Sequence, residues 1–438
     1  MIKLNYMKNL EFHKNSYNLT INLKELIVSI SKAIDYISQD LSGHHLRVAL
    51  ISSEIAKAFG LKRKEIDDIF LASLLHDIGM FSSREKLDLS EFFIFTGSEL
   101  ELHSEKAYFL LKDMDFLGSV PQIIRYHHTC WNNTNNYNIP IESYILHLAD
   151  RIEVLIDKNN EILGQQKDIL DRIKGFSGTV FMPELVYIFE RISSVEAFWY
   201  RIVTDADISY ILDDQIFSEF RVDFESFLNF ARLFTHIIDF RSPFTALHSV
   251  AVSRIAYMIS KLIGLSELTC KKILAAGYLH DIGKIAIPSE ILEKNSNLLP
   301  AEFNIIKKHA YYSFKILQSI SEIKELCKWA GFHHERLDGK GYPFHLRADE
   351  LPLEARIITI ADIFTAVTET RPYKNSFIEN DAVKIFQNMA KNEIYDKNLL
   401  TLICDNFRSL NEERIDVQSQ IGQVYNDFQS ICLKYKPR

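Results

Sequence analysis

Proline and glycine are scarce in this chain, 10 and 15 in 438 residues, and strand-like alternation of polar and apolar residues is scarcer still. A mostly helical chain leaves out both, because proline and glycine punctuate turns and period-two alternation marks strands. The five cysteines (Cys130, Cys270, Cys327, Cys404, Cys432) include no close pair, which excludes zinc-finger spacing and reads as reduced thiols. Positive charge is also short. Lys and Arg number 50 against 58 Asp and Glu, a net charge of −8. That argues against gripping duplex nucleic acid, which needs a basic face. It leaves room for a small anionic ligand, because a bound metal brings its own positive charge. No uncharged apolar run approaches the ~20 residues of a membrane span. The start, MIKLNYMKNLEFHKNSYN, holds too short an apolar stretch for a secretory signal. A cytoplasmic protein with no membrane contact is the expectation.

What is present is helix, and enough of it for two cores. A chain of 438 residues exceeds one typical domain. Apolar residues recur three and four apart from Ile27 to Phe59 and from Val250 to Ile263, with Gly60 and Gly264 placed where a helix would stop. The 15 histidines cluster, and the clusters repeat. One set is His44, His76-Asp77, His103, His127-His128 and Asp150; the other is His248, His280-Asp281, His309, His333-His334 and Asp362. The first step is 32 residues in both copies, and the step from the third His to the His-His pair is 24 in both. "LLHDIGM" at 74–80 matches "YLHDIGK" at 278–284, and "FMPELVYIF" at 181–189 resembles "YDKNLLTLI" at 395–403. The fold expected is all-α, two tandem helical-bundle domains over 20–200 and 225–410, with a linker helix over 201–224 and a tail over 411–438.

His and Asp suit borderline divalent metals such as iron, manganese, cobalt or zinc. A single His on a helix is structural far more often than a ligand. Seven candidates in fixed order, repeated with matched spacing, point to metal. An adjacent His-Asp pair on one helix diverges by about 100° around the axis, and it can still meet a dinuclear centre if the Asp bridges the metals and the other ligands come from neighbouring helices. His45, His147, His236 and His345 lack a partner in the other copy and read as packing or solvent-exposed residues; His13 reads as surface.

At this point the second half resembles the HD-GYP family of cyclic-di-GMP phosphodiesterases, within the HD superfamily of metal-dependent phosphohydrolases. The resemblance rests on "HDIGK" at 280–284, "HHERLDGKGYP" at 333–343 with Gly341-Tyr342-Pro343, and "RPYK" at 371–374 after Ala361-Asp362. It covers roughly 180 residues, and the combined motifs are specific. It implies one metal on His248, His280, Asp281 and Asp362, and a second on His309, His333 and His334, with Asp281 bridging. Some members add a third metal through a Glu four residues before the first His; Phe244 stands there, so two are expected, iron or manganese. The resemblance also implies Asp281 and Lys284 as catalytic residues, and Lys284, Arg371, Lys374 and the Gly341-Tyr342-Pro343 loop beside the substrate. Two metals would neutralise the phosphodiester oxygens and lower the pKa of a shared water, and fixed cations would steady the developing charge.

The first copy keeps the ligand types and so is a second candidate metal centre. It lacks the rest. Met80 stands for the lysine, no GYP follows His127-His128, and Asn159 and Ile162 stand where the second copy has Arg371 and Lys374. A degenerate domain that binds metal, a ligand-sensing domain and a second hydrolase all fit, with binding or structure favoured over turnover. The whole chain reads as a hydrolase of cyclic di-GMP or 3′,3′-cyclic GMP-AMP. A non-enzymatic cyclic-dinucleotide receptor and a broader HD nucleotide phosphohydrolase are the alternatives. Partners beyond the substrate stay open between a second copy of the chain and a signalling protein.

Overall fold

The structure, a computed structural model, describes residues 19–35, 43–80, 98–133, 138–204, 221–239, 247–292, 294, 296–369 and 379–434. The chain is all-α. Among the described residues the one sheet is a pair of three-residue strands, Thr20–Asn22 and Arg221–Asp223, running antiparallel with Thr20 opposite Asp223.

The repeat in the histidines is a repeat in the fold. The first copy runs through helices His44–Phe59, Arg63–Leu75, Ser98–Leu111, Val120–Arg125 and Ile141–Val154. The second runs through His248–Leu262, Glu267–Leu279, Pro300–Gln318, Lys324–Gly331 and Leu353–Thr368. His44 and His248 each open a helix. Gly60 and Gly264 follow its end at φ 94° and 79°, as their place in the sequence predicts. The helix predicted from Ile27 to Phe59 is two helices, Leu23–Asp35 and His44–Phe59, with 36–42 outside the described residues.

Each copy is preceded by a strand and a lead helix, Leu23–Asp35 in one and Phe224–Asp239 in the other. The second lead helix buries Phe224, Phe227, Phe230 and Phe234. At roughly 1.5–3 kcal/mol for each side chain removed from water, that face alone holds it on the bundle. The first lead helix packs on Arg63–Leu75 of its own copy and on Pro300–Gln318 of the other. Glu25 accepts from the Ser321 backbone N–H at 3.1 Å, and Phe116 meets Phe230 with ring centroids 5.9 Å apart. One apolar core therefore runs through both copies.

The linker helix expected over 201–224 falls mostly outside the described residues, which here are 201–204, closing the helix Glu196–Thr204, 221–223, the strand that pairs with 20–22, and Phe224, which opens the next helix. The span 411–438 was expected as a tail. As far as it is described it belongs to a 28-residue helix, Phe407–Lys434. That terminal helix packs along His248–Leu262 and reaches the first copy, where Phe428 meets Phe109 at 6.0 Å. No helix among the described residues is long and apolar enough to cross a membrane.

Candidate metal centre

The His-Asp pair does not lie on one helix, and that is how both side chains reach the same place. Helix Glu267–Leu279 stops before His280, and Asp281 leads into a tight turn of 3₁₀ helix, Ile282–Ala286. In the first copy the break falls at the same position, with 3₁₀ helix over His76–Gly79. The change of winding replaces the rotation of about 100° that a continuous α-helix imposes. The glycine of HDIG makes the turn fit. A Cβ on Gly283 would lie 2.0 Å from the His309 carbonyl oxygen, and one on Gly79 would lie 2.2 Å from that of His103.

In the second copy all seven predicted side chains converge. Ligand atoms of His248, His280 and Asp362 lie within 4.8 Å of one another, as do those of His309, His333 and His334. Asp281 lies between the trios. Its Oδ2 is 3.2 Å from His280 Nε2, and its Oδ1 is 3.4 Å from His309 Nε2 and 3.9 Å from His333 Nε2.

The hydrogen bonds fix which nitrogen faces inward. His280, His309 and His333 each donate from Nδ1 to the carbonyl three residues back, at 2.6 Å. Nε2 is thus the nitrogen turned inward on each ring, and His309 Nε2 and His333 Nε2 face each other at 3.2 Å. Burial lowers the His309 pKa to about 3 and takes His333 well below its usual value, so both rings are neutral. Two buried lone pairs pointed at each other, beside a carboxylate, fit a shared cation. His248 behaves differently. Burial lowers its pKa, but hydrogen bonds to Asp362 and Glu369, each 3.0 Å, outweigh this and raise it to about 9. The proton between His248 Nε2 and Asp362 stands where those two ligands would hold a metal, while Glu369 takes the Nδ1 proton from behind.

Lys284 lies on Asp281 Oδ2 at 2.5 Å, inside the cluster. Arg371, Lys374 and Phe244 fall outside the described residues. Above the cluster opens a cavity of about 760 Å³, with His333, His334 and Asp362 in its floor and Gly341, Tyr342 and Pro343 in its wall. Glu335 shapes that wall by accepting the backbone N–H groups of Phe344 and Leu346, at 2.6 and 3.1 Å. Lys307, Lys308, Arg336 and Lys340 line it as well.

The first copy also brings its predicted ligands together, as His44, His76 and Asp77 and as His103, His127 and His128. His103 Nε2 is 3.2 Å from His127 Nε2 and 3.1 Å from His128 Nε2. Its late aspartate is covered. Arg151 donates to Asp150 Oδ2 at 2.6 and 3.0 Å, and the Asp150 side chain is 4% exposed against 19% for Asp362. Two histidines that the sequence reading set aside as packing or exposed residues belong to this cluster. His45 is fully buried with Nε2 3.5 Å from Asp77, and His147 is buried with its ring 5.5 Å from His128. Of the others set aside, His236 is buried and His345 lies exposed on the cavity wall of the second copy.

Sequence reasoning missed the groups behind the ligands. His44 donates from Nδ1 to Glu153 at 2.5 Å, and Arg47 donates to the other oxygen of that carboxylate. Glu153 follows Asp150, and Arg47 follows His44, by one helical turn, a spacing that shares a face and would have found them. Glu369 had no such signal, since it lies just past the end of helix Leu353–Thr368.

Comparison with known proteins agrees with the repeat. The HD domain matches residues 232–399 and, independently, residues 41–155, together well over half of the chain. The 3′3′-cGAMP-specific phosphodiesterase 1 of Vibrio cholerae is 29% identical over 398 residues, spanning 88% of this chain and 92% of that protein. The chain belongs to the HD superfamily, in its HD-GYP branch. A second V. cholerae relative, 3′3′-cGAMP-specific phosphodiesterase 3, is 27% identical over 84% of this chain and 91% of its own length. A cyclic di-GMP phosphodiesterase of Thermotoga maritima is 40% identical over 160 residues, only 36% of this HD-GYP chain. The crystal structure of a cyclic GMP-AMP-specific phosphodiesterase from V. cholerae covers 91% of the chain with a TM-score of 0.60 at 24% identity, which shows a shared fold. HD-domain phosphodiesterases are metal-dependent, and this HD-GYP chain holds the His and Asp clusters that such chemistry needs.

Proposed function

We propose that the second domain hydrolyses a cyclic dinucleotide, 3′3′-cyclic GMP-AMP in preference to cyclic di-GMP, at a centre of two divalent cations. One observation carries the centre: Asp281 turns one oxygen toward His280 and the other toward His309, beneath a cavity of about 760 Å³. His248, His280, Asp281 and Asp362 would hold one cation, and His309, His333, His334 and Asp281 the other. His and carboxylate oxygen together suit iron or manganese. Bound there, the cations supply charge neutralisation and an activated water.

The rest is done by the chain's own side chains. Lys284 holds Asp281 in place. Lys307, Lys308 and Lys340 meet the anionic substrate in the cavity, as fixed cations do for phosphate oxygens. Tyr342, with its ring 4.7 Å from that of His334, closes one side. The cavity volume falls within the range of about 300–1,000 Å³ usual for ligand sites. Water adds to phosphorus and the ribose oxygen leaves, giving the linear dinucleotide. The preference for cyclic GMP-AMP follows from the two relatives that match along both domains, whose names carry that specificity.

The first domain is proposed to hold a cation without turning substrate over. Arg151 occupies one oxygen of Asp150, and Met80 stands in place of Lys284. Purified protein assayed against both dinucleotides, with iron and with manganese, tests the reading. Turnover of cyclic GMP-AMP that exceeds turnover of cyclic di-GMP is expected. Binding of either without turnover would instead support a receptor, and turnover of mononucleotides alone would support a broader phosphohydrolase.

A further inference from the structure

The terminal helix Phe407–Lys434 begins beyond the stretch that matches the HD domain, which ends at residue 399, yet it reaches the metal centre. His248 donates from Nδ1 to Glu369 Oε2 at 3.0 Å. The other oxygen of Glu369 accepts from Gln418 Nε2 at 2.8 Å, and Gln418 is on the terminal helix. The same amide nitrogen lies 3.4 Å from the carbonyl of Leu247, the residue before His248. Gln418 Oε1 in turn accepts from Arg414, a buried residue one turn earlier, which Asn411 holds at 2.9 and 3.0 Å. An amide is suited to this place, because it offers an acceptor to the guanidinium and a donor to the carboxylate.

The first domain shows the arrangement this replaces. There the carboxylate behind His44 is Glu153, and Arg47 of the same helix holds it. The matching position, three residues after His248, is Ala251, which has nothing to donate. We propose that Gln418 is a positioning residue of the second metal centre: it fixes Glu369 and so sets the tautomer and direction of His248. The terminal helix thereby belongs to the active site. Its far end seats Phe428 on Phe109, in the helix that carries His103.

The proposal rests on the reading of His248 as a metal ligand, and the test separates the two. Mn²⁺ is titrated into the full-length chain and its free concentration followed by electron paramagnetic resonance. His248→Ala identifies the class of sites belonging to the second centre as the class it removes. Gln418→Met keeps the length of the side chain and deletes the amide. It is expected to weaken that class by about threefold to tenfold, somewhat less than the 10–100-fold typical of a direct partner of a ligating His. It should raise the Mn²⁺ concentration for half-maximal hydrolysis in proportion, with KM for the dinucleotide unchanged at saturating metal. Wild-type Mn²⁺ affinity in Gln418→Met, with a class lost in His248→Ala, overturns the role of Gln418. Undiminished Mn²⁺ binding in His248→Ala overturns the assignment of the centre itself, and the proposal with it.

Discussion

In the first copy Arg151 lies across Asp150, whereas in the second Ile363 stands at that place and Asp362 faces a cavity. The scaffold is otherwise the same: a helix opened by His, a break at His-Asp, a glycine pressed on the third histidine's backbone, and a His-His pair. With the first copy proposed not to turn substrate over, the difference separates retaining ligands from retaining a reaction. Ligands need only converge. A reaction also needs an open coordination edge, room for the substrate and cations aimed at its phosphates. The first copy meets the first condition, and among the described residues Arg151 covers its Asp150.

Single substitutions at matched positions can break this contrast. The largest effect is expected at the bridging aspartates. Asp281→Ala should lower hydrolysis by about a thousandfold or more, since a metal centre supplies several kcal/mol of transition-state stabilisation. Asp77→Ala should leave the rate within about threefold, as for a distant and independent site. Comparable losses in two folded variants would make the first domain catalytic.

Metal removal comes next. In stripped protein the His248 proton replaces the cation, with the pKa raised to about 9 by Asp362 and Glu369 despite burial. A group whose folded pKa is raised stabilises fully below its unfolded value, about 6.5, and loses that contribution as pH rises through the folded value. The thermal midpoint of chelated protein should therefore fall between about pH 6.5 and 9, and added Mn²⁺ should flatten the fall. An identical slope with and without Mn²⁺ would mean that no cation takes that place.

Much of this contrast was legible in the sequence, and the illegible part has a physical reason. Ligand identity is local chemistry, so ordered His and Asp residues at equal spacing gave the tandem helical repeat and both clusters. The His-Asp pair misled because a uniform helix was assumed through residues 280–281, where the chain changes winding. His45 looked unmatched because Ser249, its counterpart, instead bonds Asp239 at 2.8 Å. Glu369 and Gln418 were invisible because their contact joins residues 49 apart, across a helix end and onto a different element. Nothing in the sequence marks Arg151; only its fold back onto Asp150 shows that it occupies a ligand oxygen.

A middle-sized effect follows from the close approach at HDIG. Gly283→Ala and Gly79→Ala each force a Cβ onto a carbonyl oxygen about 2 Å away. Overpacking of this kind costs about 1–3 kcal/mol, or several degrees of thermal midpoint. Both variants should melt early, but only Gly283→Ala should also lose hydrolysis, because it displaces His309. Loss of activity from Gly79→Ala would show that strain in the first copy reaches the second centre.

The smallest effect tests whether the two scaffolds are equivalent once chemistry is set aside. Gly60 and Gly264 end matching helices at φ 94° and 79°, and a Cβ on either meets nothing within 4 Å. Substitution by Ala therefore costs only the left-handed backbone, about 1–2 kcal/mol. Gly60→Ala and Gly264→Ala should lower the melting midpoint equally and leave hydrolysis unchanged. Equal shifts are expected because one core runs through both copies, so that neither melts alone. If Gly60→Ala instead split the transition in two, the copies would be independent folding units. The closed first domain would then serve the second only as a neighbour, and not as part of its support.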